Sequence, residues 1–183
     1  MNIRMFSSWQ VRCGIADPHA REMFKELNAL PDTHLEMVPF DRKPHPRSDY
    51  AAWGRCLNEG DVAHIQFDYS FFDYLLPWRE KFTAMRREIQ KPLVITRHVS
   101  FDGPLLLADR SAKGWIRRAK WRLYQHALNP YATFLNRTIF EQAAHVIVLT
   151  TRLKEQLLRR GIGADKISVI PAGVRKPPAI TGG

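Results

Sequence analysis

Ser8-Trp9-Gln10-Val11-Arg12-Cys13-Gly14-Ile15-Ala16-Asp17-Pro18 joins an apolar run (Ile3, Met5, Phe6) to a segment whose apolar residues, Ala20, Met23, Phe24, Leu27 and Leu30, recur at helical spacing. The reading is strand, glycine turn, helix. Gly14 lets a backbone or ligand come close with no side chain in the way. Asp17-Pro18 fits an N-cap followed by the first helical residue. The first N–H groups of such a helix are unpaired and lie at the positive end of its dipole, which suits a polar or anionic ligand. Helix–sheet packing alone can also demand this element.

Working outward, apolar runs alternate with helical segments. Ile3–Phe6 reads as the first strand, and the helix after Asp17 ends near Leu30-Pro31. Leu35–Phe40 reads as a second strand, shortened by Pro39. Residues 41–50 read as a polar, proline-containing loop and 50–58 as a short helix. Val62–Phe67 is a nearly continuous apolar strand. Phe71, Leu75, Trp78, Phe82, Met85 and Ile89 share helical spacing, interrupted by Pro77. Leu93–His98 is the next strand, followed by a loop with Gly103-Pro104. Residues 113–128 and 131–144 read as two helices separated by Asn129-Pro130. Val146–Leu149 is a strand. Thr151 is placed to cap a helix over 152–160, which Gly161 stops. Lys166–Ile170 is the last strand, and 175–183 is linker-like. The predicted fold is therefore α/β: one Rossmann-like domain over 1–174, with a mostly parallel sheet and helices on both faces. Ligands of such sheets bind at the carboxyl ends of the strands. That rule points to Cys13–Asp17, Gln66–Tyr69, His98–Asp102, Thr150-Thr151 and Ala172-Gly173.

The 183 residues fit a single domain, and 45% apolar content supports a real core. No run of about 18 uncharged apolar residues is present, and Met1-Asn2-Ile3-Arg4 does not open a secretory segment. The two cysteines, Cys13 and Cys56, match no metal spacing and read as free thiols of a reducing cytoplasm. A net charge of +10 favours anionic partners, against the plainer alternative of a solvated basic surface.

Four segments at these strand ends are similar to the N-terminal half of a family 4, GT-B type glycosyltransferase. Arg12-Cys-Gly-Ile-Ala-Asp17 resembles the family's glycine loop. Asp61-Val-Ala-His-Ile-Gln66 resembles its strand of the form aspartate, hydrophobic, histidine, hydrophobic, glutamine. Pro92-Leu-Val-Ile-Thr-Arg-His98 resembles the strand ending in histidine. Ala144–Thr150, with Gly161-Ile162 and Lys166-Ile-Ser-Val-Ile-Pro-Ala-Gly-Val174, resembles the run into the interdomain linker. The resemblance implies that this half holds the acceptor. A C-terminal half, of which these residues show no counterpart, would bind the nucleotide-sugar. The implied activity is retaining, nucleotide-sugar-dependent transfer in glycan, glycolipid or polysaccharide synthesis, in need of a donor domain in cis or trans. The alternatives are a non-catalytic glycan- or membrane-binding module, or a truncated remnant.

The resemblance also assigns residues. It implies that His98 contacts the transferred sugar, and a neutral imidazole both donates to and accepts from hydroxyls. The alternative is a histidine satisfied locally. Substrate-binding candidates are Cys13, Gly14, Ile15, Gln66, Asp68, Tyr69, Thr150 and Gly173. Asp68 suits orienting or deprotonating a hydroxyl, and equally suits capping the segment near Phe71. Arg97 alternates with His98 and so faces the other side, and His64 reads as a core histidine. Lys113, Trp115, Arg117, Arg118, Lys120, Trp121 and Arg122 interleave basic and aromatic side chains on one helix, a pattern suited to an anionic membrane surface. The alternative is a solvated helix packed through Ile116, Ala119, Leu123 and Ala127. No metal site is visible and no cofactor is expected in this domain. The donor nucleotide-sugar belongs to the complete enzyme. The expected partners are a glycan or lipid-linked acceptor, the donor domain and an anionic membrane surface. No nucleic-acid signature appears. The expected location is cytoplasmic, with peripheral attachment to the inner membrane face as a variant.

Overall fold

The computed structural model describes residues 1–8, 20–41, 43–73, 80–98, 114, 119 and 129–171. Six strands form one sheet: β1 (Asn2–Ser8), β2 (His34–Phe40), β3 (Val62–Phe67), β4 (Leu93–Arg97), β5 (His145–Val148) and β6 (Ile167–Val169). Their order is β2-β1-β3-β4-β5-β6, and every neighbouring pair is parallel. The predicted fold class holds. The order reverses between β1 and β3, which opens a crevice at their carboxyl ends.

Five α-helices connect the described strands: α1 (Arg21–Asn28), α2 (Arg47–Cys56), α3 (Phe82–Glu88), α4 (Asn129–Glu141) and α5 (Thr151–Leu158). One face of the sheet carries Phe6, Ile65, Phe67, Ile95, Val146 and Val148. They share a core with Tyr50 and Leu57, with Phe82 and Met85 of α3, Ile139 and Phe140 of α4, and Leu153 and Leu157 of α5. The opposite face carries Ile3, Met5 and Leu35, covered by Ala20, Met23, Phe24 and Leu27 on the helical stripe read from the sequence. A dense aromatic group, with Phe67 stacked on Phe72 at 5.3 Å and set edge-on to Phe82 and Phe140, supplies much of the larger core.

Several boundaries differ from the sequence reading, each for a physical reason. Pro39 does not shorten β2, which runs through it to Phe40 in register with Ser7 and Ser8. As an edge strand, β2 tolerates the missing donor. The last four residues of the expected loop 41–50 are helical, because α2 starts at Arg47 behind Pro46, whose extended backbone (ψ 162°) forms its boundary. No single helix spans 71–89. Tyr69–Phe71 is a 3₁₀ turn, Asp73 has φ +46°, and α3 starts only at Phe82. Burial of Phe71 and Phe72 overrides the helical spacing, and the Tyr50 hydroxyl donates to the Phe71 carbonyl. Lys81 pairs with Asp73 at 2.5 Å. Helix α4 stops at Glu141, short of 144, as the Ala144 N–H joins the sheet by donating to Leu93 O at 2.8 Å. The cap of α5 is Thr150, not Thr151: its backbone is extended and its hydroxyl accepts from Leu153 N–H at 3.2 Å. Gly161 stops that helix as expected, at φ +84°. Strand β6 is confined to Ile167–Val169 by the 3₁₀ turn Ala164–Lys166.

Candidate functional site

The parallel sheet delivers Ser8, Phe40, Phe67, Arg97 and Val148 to one edge as the last residues of five strands. At the reversal point, Ser7 and Ser8 end β1 fully buried, next to the end of β3. Beside them Gln66 and His98 meet across β3 and β4. The Gln66 Oε1 and His98 Nε2 atoms share a hydrogen bond, while the His98 backbone N–H donates to Phe67 O at 3.4 Å. Gln66 is fully buried and His98 is half-buried. The Gln66 amide nitrogen lies 3.3 Å from the sulfurs of both Met5 and Met23. His64 is a core residue, as read from the sequence, with Nε2 2.8 Å from Thr96 Oγ1. A run of polar groups (Thr96, His64, Gln66, His98) therefore follows one face of β3 and β4 to the carboxyl edge, with Gln66 against Met23 of α1.

Other candidates sit apart from this run. Asp68 accepts from Ser70 N–H at 2.8 Å and caps the 3₁₀ turn after β3, which realises the capping alternative. Tyr69 turns into the core, where its hydroxyl donates to Asn136 Oδ1 of α4 at 2.5 Å. Burial raises the Tyr69 phenol above its ordinary range against the opposing pull of Arg97 and Arg160, so it stays a neutral donor. Thr150 is exposed, its hydroxyl engaged in the α5 cap. Cys13, Gly14, Ile15 and Gly173 lie outside the described residues. So do the Asp17-Pro18 cap and the membrane-surface candidates Lys113, Trp115, Arg117, Arg118, Lys120, Trp121 and Arg122.

Two polar groups escaped the sequence reading. Arg97 is fully buried on the face opposite His98. It donates to Gln156 Oε1 of α5 at 3.1 Å and lies 5.4 Å from the centre of the Phe140 ring. Strand alternation foretold the side but not the partners. Asn136 and Phe140, four residues apart on one helix face, were the available signal. The second group follows β2: the His45 ring nitrogens face Asp49 Oδ2 at 3.0 Å and Asp41 Oδ1 at 2.5 Å. Burial opposes the charge of His45, but the two carboxylates outweigh it and raise its pKa. The His45 hydrogen bond correspondingly lowers Asp41 against desolvation. The i, i+4, i+8 spacing of Asp41, His45 and Asp49 was the readable trace. Cys56 is a free thiol. Among the described residues no helix is long and apolar enough to cross a membrane, and no cluster of three or more His, Cys, Asp or Glu is placed to hold a metal ion.

The arrangement offers hydrogen bonds to hydroxyls at His98. The sequence model of the family described as Glycosyltransferase Family 4 matches residues 16–176. No curated protein matches the chain.

Proposed function

The chain belongs to glycosyltransferase family 4, and from that premise we propose that it is the acceptor-binding half of a retaining, nucleotide-sugar-dependent glycosyltransferase. It acts with a C-terminal donor-binding half, in cis or in trans, in the synthesis of glycans, glycolipids or polysaccharides. The observation that carries the proposal is His98, presented half-buried at the carboxyl end of β4 beside the β1–β3 crevice and held by Gln66. Its imidazole engages a sugar hydroxyl, and the glycine loop around Gly14 takes a phosphate or hydroxyl on its backbone N–H groups. Gln66, Asp68 and Thr150 line the same edge of the sheet.

The test joins the chain to its donor half and supplies nucleotide-sugars with candidate acceptors. Donor-dependent glycoside formation with the anomeric configuration of the donor preserved, followed by proton NMR, is the expected result. Inverted product rejects the retaining mechanism. Absence of transfer across donors, with the acceptor bound, rejects the catalytic reading in favour of a binding module.

The same reading includes a lipid-linked acceptor at an anionic membrane surface, reached through the basic–aromatic residues Lys113 to Arg122. The net charge of +10 and the exposed Phe134 on α4 support it. Co-sedimentation with phosphatidylglycerol vesicles at low salt is expected, and its absence removes the membrane component.

A further inference from the structure

We propose that Gln66 is a positioning residue that sets the tautomer of His98: Nε2 carries the proton and Nδ1 the lone pair. The inference deepens the proposed function and rests on the reading that His98 meets the sugar.

The argument begins with sulfur. A thioether has lone pairs and no hydrogen, so it only accepts. The Gln66 Nε2 atom lies 3.3 Å from Met5 Sδ and 3.3 Å from Met23 Sδ. Turning the amide over would set its carbonyl oxygen against two sulfurs and offer a donor to His98. The two sulfurs thus hold the NH2 group inward and Oε1 toward His98 Nε2. An amide oxygen accepts only, so His98 Nε2 must donate. In the neutral ring the lone pair is then on Nδ1.

His64 is compatible with this orientation: its Nε2 lies 2.8 Å from Thr96 Oγ1, a hydroxyl that donates or accepts, and 3.5 Å from Gln66 Nε2, farther than the two sulfurs that take the amide hydrogens. Complete burial of Gln66 keeps water from substituting for either bond.

The test is long-range proton–nitrogen NMR of the full chain with labelled imidazoles, at a pH where His98 is neutral. The wild type should show His98 with Nε2 protonated and Nδ1 bare. Gln66→Met removes the acceptor and should leave a mixture of tautomers. Gln66→Glu restores an acceptor at the same place, should restore the Nε2–H signal, and should raise the pH at which His98 titrates. A wild-type ring protonated on Nδ1 overturns the proposal, as does a folded Gln66→Met variant with an unchanged tautomer. If Gln66→Met does not fold, the wild-type and Gln66→Glu spectra still decide. These spectra do not depend on activity. Full transfer by a His98→Ala enzyme would defeat the functional reading while leaving the tautomer assignment standing.

Discussion

Arg97 and His98 are adjacent in the chain and serve opposite sides of the sheet. His98 meets Gln66 at the carboxyl edge. Arg97 is sealed between α4 and α5, bonded to Gln156 and laid near Phe140, with Tyr69 bonded to Asn136 close by in the same core. Alternation along the strand separates the two. One polar group is half-buried at the end of its strand, whereas the other is fully buried and ties strands to helices.

The largest effect is expected at Arg97. Arg97→Ala leaves Gln156 without its donor and opens a cavity beneath Phe140, a loss of about 3–5 kcal/mol in unfolding free energy. Urea denaturation measures it, and a loss below about 1 kcal/mol would mean that the knot is not structural. A smaller effect of the same kind is expected at Gly54 in α2. An added Cβ would run into the Met85 carbonyl oxygen and approach Glu88 Cβ to 2.9 Å, so Gly54→Ala should cost about 1–3 kcal/mol by forcing α2 off α3. Tyr69→Phe removes one buried donor from Asn136 and should cost about 1–2 kcal/mol. In the wild type the Tyr69 phenol should ionise above the usual tyrosine range in an ultraviolet titration, because burial raises its pKa.

The smallest effect sharpens the comparison with a third, titratable group on the same edge. The folded state raises the His45 pKa above its ordinary 6.5, so the stabilisation is complete below about pH 6.5 and fades as pH rises through the folded value. Asp41 is lowered from 3.8, so its share is present above that value and fades as pH falls through the folded one. The window of greatest benefit thus lies between the two. His45→Gln should lower the melting temperature by about 2–4 °C near pH 6, and the gap to wild type should narrow toward pH 9. A gap independent of pH would assign His45 a packing role against Trp53.

Much of this fold was legible. Val62–Phe67 and Leu93–Arg97 read as strands from the apolar series Ala63, Ile65, Phe67 and Leu93, Val94, Ile95, and the polar residues between them, His64, Gln66 and Thr96, are buried as well. The stripe from Ala20 to Leu27 announced the helix on the opposite face. Illegible was what depends on distant partners: the break after Phe71 follows from aromatic packing, and the cap at Thr150 rather than Thr151 follows from where β5 releases the chain. At the site, His98 and Gln66 could be placed at strand ends by residue order, but the bond between them comes from the β3–β4 register, which pairs Gln66 with Thr96. The knot around Arg97 needed α4 and α5 in place, and no local pattern encodes a pairing across 59 residues.

The proposed function puts sugar transfer at the carboxyl edge beside His98. The most direct measurement compares His98→Ala with wild type, each joined to the donor half, for both turnover and melting temperature. The expected result is a loss of about 10²-fold or more in turnover with the melting temperature shifted by no more than about 2 °C. Undiminished turnover in a folded His98→Ala enzyme would contradict it.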